Sequence, residues 1–151
     1  MLNNDYKEML QCLNAERVDY LLIGAYAMAA HGFPRATMDI DIWVKPSTAN
    51  ASAVWKALER FGAPLQGVIV DDFAKDDVIF QIGVAPRRID IITGVSALNF
   101  DETIKRAIEV EIEGLKVLIP SVADLIINKK ATGRTKDLAD VETLQSLADK
   151  T

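Results

Sequence analysis

Asp39 and Asp41 stand two apart in a segment, residues 38–44, that reads Met, Asp, Ile, Asp, Ile, Trp, Val. Alternation of this kind is the period of a β-strand, so Asp39, Asp41 and Trp43 share one face while Met38, Ile40, Ile42 and Val44 share the other. Carboxylates at i and i+2 project side by side, about 6.6–6.8 Å apart along the chain. Two bare charges at about 6 Å repel by roughly 3 kcal/mol at an effective dielectric of about 20. A strand keeps such a pair where water or a cation compensates; the bland alternative is a solvated sheet face that pairs with Lys or Arg. A hard divalent cation such as magnesium suits the site, because it takes one or two protein carboxylates and fills its remaining positions with water and phosphate oxygens. A third carboxylate from a neighbouring strand would let two ions clamp the attacking and leaving oxygens of a displacement. Asp90, opposite in facing to Ile89 and Ile91 in an equally apolar segment, is the best-placed third. The reading stands on the convergence of these three side chains, and Asp90 pointing away, or plugged by a salt bridge, would end it.

The elements that must position them follow from pattern. Residues 5–13 carry Tyr6, Met9, Leu10 and Leu13 at helical spacing, with Asn3 or Asn4 as cap. Residues 18–23 form a short buried strand ended by Gly24, and the small residues of 25–30 suit a helix lying close on a sheet, closed by Gly32. Phe33-Pro34 breaks it, and a loop carrying Arg35 and Thr37 leads into the aspartate strand. Ser47 caps a helix to about Phe61, with Gly62 as its stop. Residues 64–77 are ambiguous, with a short strand at 68–70 and a loop bearing Asp71, Asp72, Asp76 and Asp77. Residues 78–84 and 88–93 flank Ala85-Pro86-Arg87 as a hairpin. Asp101 caps a short helix through Ala107; a ribbon follows at 110–113 and 115–119; helices run from Pro120-Ser121 to about Lys130 and from Thr135 to Ala148. This order gives an α/β or α+β fold, a mixed sheet flanked by helices with C-terminal helices, in a single domain over residues 1–151.

Composition bounds the function. The chain has 151 residues, half of them apolar and 26% charged, the profile of an ordinary globular domain. Its apolar runs are too short to span a membrane and its N-terminus is too polar for a secretory signal, so a cytoplasmic location is expected. Cys12 is the single cysteine, which excludes an intrachain disulfide and a thiolate cluster and reads as packing. The net charge of −5 argues against general DNA or RNA binding, leaving one local basic patch at Lys129, Lys130, Arg134 and Lys136.

The run Leu22-Ile23-Gly24-Ala25, then His31-Gly32-Phe33-Pro34-Arg35, Thr37 and Asp39-Ile40-Asp41, resembles the first motif of the nucleotidyltransferase superfamily. There a Gly-Gly or Gly-Ser turn ends a strand, a short helix follows, and an Asp-x-Asp strand comes about a dozen residues later. More narrowly, the chain resembles bacterial nucleotidyltransferase-like proteins related to the AbiEii and MenT toxins, several of which occur in toxin–antitoxin pairs. A C-terminal run, Asp124-Leu125-Ile126, Lys129, Ala131, Arg134, Lys136-Asp137, Asp140 and Leu144, is similar to a segment of the same group. The resemblance implies transfer of a nucleoside monophosphate from an NTP to an acceptor, RNA or protein, with an antitoxin as partner. It implies two magnesium ions, with manganese as the alternative, on Asp39, Asp41 and Asp90, and Asp90 assisting the acceptor nucleophile. Gly24 and Ala25 would approach the triphosphate, and Lys129 would meet phosphate as a point charge. Ala25 departs from the usual Gly or Ser, removing either a flexible position or a hydroxyl donor.

Other residues keep two readings. Arg35 and Thr37 either bind phosphate or hold the loop by hydrogen bonds to Asp39 or Asp41. Lys129 and Lys130 are equally a solvated helix end, Asp137 and Asp140 suit a helix first turn, and His31 is a helix-end residue. Trp43 either stacks on a base or packs. The rival functions are a non-catalytic binding or regulatory member of the same fold, and a sugar transferase that holds a nucleotide-sugar diphosphate.

Overall fold

A computed structural model describes residues 2–34, 39–84 and 87–149. Helix α1 is Asn4–Ala15, and Asn3 caps it by accepting a hydrogen bond from the Tyr6 N–H. Strand β1, Tyr20–Ile23, leads into α2, Gly24–Ala30, and β2 is Ile40–Val44. Ser47 caps α3, Thr48–Phe61, which ends at a left-handed Gly62. Residues 68–70, expected as a short strand, are not one; Val70–Ala74 forms a 3-10 turn whose Phe73 is fully buried. Strands β3, Ile79–Ile82, and β4, Ile89–Ile92, form the expected hairpin, and its tip at Ala85-Pro86 lies outside the described residues.

Asn99, rather than Asp101, caps α4, Phe100–Lys105, by accepting from the Glu102 N–H. Both are cap-type residues two positions apart, and spacing alone does not choose between them. Strands β5, Ile108–Ile112, and β6, Leu115–Ile119, make a separate antiparallel ribbon. Helix α5, Val122–Thr132, is capped by Ser121 and closed by Gly133, and α6, Thr135–Asp149, packs back on it.

The main sheet has the order β1-β2-β4-β3, with β1 and β3 antiparallel to their neighbours and β2 parallel to β4. One face carries Tyr20, Leu22, Ile40, Ile42, Val44, Ile89 and Ile91 into the principal core, where α1 and α3 cover it with Met9, Leu10, Leu13, Val54 and Leu58. Each such side chain removed from water contributes about 1.5–3 kcal/mol, so this face fixes the register. A one-residue slip would bury Asp41 and Asp90 there and expel the isoleucines.

The opposite face is divided. Leu21 and Trp43, paired across β1 and β2, meet Phe100 in a small second core, while Asp41 and Asp90, paired across β2 and β4, occupy the next rung. Asn50 ties the far ends of these strands to α3, accepting from the Asp19 N–H and donating to the Asp19 and Lys45 carbonyls. Among the described residues no helix is long and apolar enough to cross a membrane.

Candidate functional site

Asp41 and Asp90 are direct partners in the parallel β2–β4 ladder, and Asp39 precedes β2 by one residue. The three carboxylates therefore converge, as their strand positions require. Between them lies a cation the sequence reading left out. Arg88 donates from Nε to Asp90 Oδ1 at 2.7 Å and from Nη2 to Asp90 Oδ2 at 3.2 Å, a two-pronged grip. Its Nη2 also stands 3.4 Å from Asp39 Oδ2, and its backbone N–H donates to Asp39 Oδ1 at 3.0 Å. The expectation of an open three-carboxylate cage is corrected here: Asp90 does take a salt bridge. Among the described residues no group of three or more His, Cys, Asp or Glu side chains is placed so that it could hold a metal ion.

One guanidinium does not neutralise this group. The Asp41 pKa is raised to about 6, first by burial, then by repulsion from Asp90, a hydrogen bond with Asp90 and repulsion from Asp39; Arg88 pulls the other way. A carboxyl whose pKa is raised by burial and by two neighbouring acids sits in a locally negative field. Its hard oxygen donors fit magnesium or manganese by chemistry. The turn before α2 fits the same picture. Gly24 has φ +70°, and a Cβ added there would overlap the Asp41 carboxylate, so the absence of a side chain lets the β1–α2 turn close on the acid. Ala25 follows in the first turn of α2 and is half-buried.

The remaining expected residues divide. Arg35 and Thr37 lie outside the described residues. Lys129, expected to meet phosphate, is instead buried, with its ammonium 2.8 Å from Asp140 and 3.7 Å from Asp137. Arg134, at the α5–α6 turn, is exposed, as are Lys130 and Lys136; it is anchored on Asp137 at 2.6 Å, and its pKa is raised chiefly by Asp137, with a lesser contribution from Asp41. Trp43 packs: it is 1% exposed, edge-on to Phe100 with centroids 5.2 Å apart, which removes it from base stacking. His31 donates from Nε2 to the Pro120 carbonyl at 2.8 Å, a structural strut. A cavity of about 330 Å³ opens at the other ends of β2 and β4, walled by Trp43, Lys45, Thr93 and Phe100. Asp76, Asp77 and Asp101 also line this cavity, so acids gather at both ends of the sheet; what distinguishes the other end is the raised pKa of Asp41 beside Asp90.

Two supporting residues were also missed. Arg88 had a signal available, since it is two before Asp90 and so on the same strand face. Tyr6 of α1, read as core alone, sends its hydroxyl to the Arg88 carbonyl at 3.3 Å; its pKa is raised to about 12, chiefly by burial.

The chain belongs to DUF6036, described as nucleotidyltransferase of unknown function, whose model matches residues 1–150. Its fold is that of solved nucleotidyltransferases. A protein from Thermotoga maritima described as a nucleotidyltransferase aligns over all of this chain and 97% of its own, at 15% identity and TM-score 0.57. The antibiotic-resistance factor ANT(2″)-Ia, in complex with adenylyl-2″-tobramycin, aligns over 96% of this chain and 89% of its own, at 15% identity and TM-score 0.58. An antigenic nucleotidyltransferase-like protein from Paracoccidioides brasiliensis aligns over 95% and 75%, at 17% identity and TM-score 0.58. No curated protein matches the sequence.

Proposed function

We propose that this chain, acting as one domain over residues 1–151, transfers a nucleoside monophosphate from an NTP to an acceptor at Asp39, Asp41 and Asp90. The observation that carries this reading is the convergence of the three carboxylates on adjacent β-segments, beside a glycine turn that admits no side chain. Family membership supplies the reaction class.

Magnesium, or manganese in its place, would supply when bound the positive charge that offsets the developing charge on phosphate. Asp39, Asp41 and Asp90 would hold it. The chain's own work is positioning and electrostatics. Gly24 and Ala25 bring backbone close to the triphosphate; Arg35 and Thr37, the other phosphate candidates of the sequence, lie outside the described residues. Arg134 takes the phosphate-facing role expected of Lys129, being exposed and electrostatically coupled to Asp41. Asp90 orients the acceptor hydroxyl and accepts its proton.

The acceptor classes are RNA and a protein side chain. The adenylylated tobramycin in the ANT(2″)-Ia complex adds a small hydroxyl-bearing molecule to them. The resemblance to AbiEii and MenT proteins supports a toxin role with a small antitoxin partner. Incubating the full chain with each labelled NTP, magnesium and these acceptors is the test. Pyrophosphate release and label transfer are expected, both lost by at least about a hundredfold in Asp41→Asn. Turnover that survives Asp39→Asn and Asp41→Asn would refute the assignment. The second reading, a non-catalytic binding subunit, is favoured by Ala25 and by the salt bridge on Asp90. It predicts no magnesium-dependent NTP binding by calorimetry.

A further inference from the structure

We infer that Arg88 is a built-in counter-ion that a divalent cation must displace from Asp39 and Asp90, so that the site alternates between an arginine-held and a metal-held state. The inference rests on the reading that these carboxylates take a metal, and adds to it how occupancy is controlled.

Arginine and a divalent cation compete for the same carboxylate lone pairs. The guanidinium engages both oxygens of Asp90 and one oxygen of Asp39. A cation entering between these carboxylates needs the same oxygens, and its own charge repels the guanidinium. Arginine and metal therefore exclude each other.

What can move is also defined. The Arg88 backbone is held on every side: its N–H donates to Asp39 at 3.0 Å, and its carbonyl accepts from the Ile40 N–H at 3.0 Å and from the Tyr6 hydroxyl at 3.3 Å. Its side chain is 29% exposed, so water already reaches it and displacement is a rotamer change into solvent. The strand therefore stays while the side chain leaves.

Charge supplies the direction of the exchange. Asp41 has no ion-pair partner among the described residues, and a single guanidinium spans only its two neighbours. A divalent ion brings twice the charge to the same three acids. Swung out, the guanidinium remains within a side-chain length of the site, where the phosphates of an NTP would offer it new anionic oxygens.

The test is calorimetric titration of the full chain with manganese alone, comparing wild type, Arg88→Gln, Arg88→Lys and Asp41→Asn. Arg88→Gln should bind at least about tenfold more tightly than wild type, which is about 1.4 kcal/mol. Arg88→Lys should fall between, because a point charge cannot grip both oxygens of Asp90 and reach Asp39 together. Equal or weaker manganese affinity in folded Arg88→Gln would overturn the inference while leaving the metal site in place. Absence of binding in every form, wild type and Arg88→Gln included, would overturn both the inference and the metal reading. If Arg88→Gln fails to melt cooperatively, Arg88→Lys decides alone, a gain supporting the exchange and no change refuting it.

Discussion

Two of the places where the chain buries charge treat it in opposite ways. Where α5 meets α6, Lys129 and Arg134 face Asp137 and Asp140, so that each acid has a cation among the described residues. Burial alone would push the Asp137 pKa up, yet hydrogen bonds from Arg134 and Thr132 and the charges of Arg134 and Lys129 hold it down at about 2. On the sheet, Asp39, Asp41 and Asp90 stand together, with Arg88 reaching Asp39 and Asp90 among the described residues, and Asp41 is pushed the other way, to about 6. A compensated cluster fixes two helices in one arrangement. An under-compensated one is poised for a charge from outside, which is why strongly perturbed acids in unbalanced groups mark sites.

The most severe way to break this contrast is to unbalance the helix cluster. Lys129→Ala removes the ammonium at 2.8 Å from Asp140 and part of the support of Asp137, both buried, and should cost up to about 3–5 kcal/mol in denaturant unfolding. A loss below about 1 kcal/mol, the scale of an exposed pair, would mean that the cluster is not compensated in the way described.

The converse change sharpens it. Asp41 has a folded pKa of about 6 against an ordinary 3.8, so its contribution to stability is full below about pH 4 and is lost as pH rises through 6. Asp41→Asn abolishes that loss. It should be nearly neutral at pH 4 and stabilise by roughly 2–3 kcal/mol at pH 8, read from melting curves across that range. Asp137 has the opposite sign: its stabilising share is present above about pH 4 and disappears as pH falls through about 2.

The smallest effect belongs to a pair outside both clusters. Lys45 and Asp101 stand 3.0 Å apart with much of each side chain in water. Lys45→Ala should change stability by no more than about 1 kcal/mol at any pH, giving the background against which the other two are judged.

Much of this arrangement was legible in local pattern. Period-two alternation placed Asp39 and Asp41 together, and the apolar register around Asp90 brought it beside Asp41. Asn3, Ser47, Ser121 and Gly62 act as the helix signals they resemble. What escaped depends on contacts between distant segments. The partners of Lys129 lie 8 and 11 residues on, across a turn whose closure angle no propensity states. Trp43 was left open between stacking and packing until Phe100, from another element, came to cover it. Arg88 is the instructive omission, since the rule that joined Asp39 to Asp41 also joins it to Asp90.

The space denied to a Cβ at position 24 couples two residues that are 17 apart in the chain. Inheritance should respect that coupling. A descendant that gains a side chain at 24 must shorten or turn away the acid at 41, surrendering the site in one substitution. Lineages that keep the acid should keep the glycine, and those that lose the glycine should drift at 41, while loss of the acid still leaves a left-handed backbone at 24 that favours glycine.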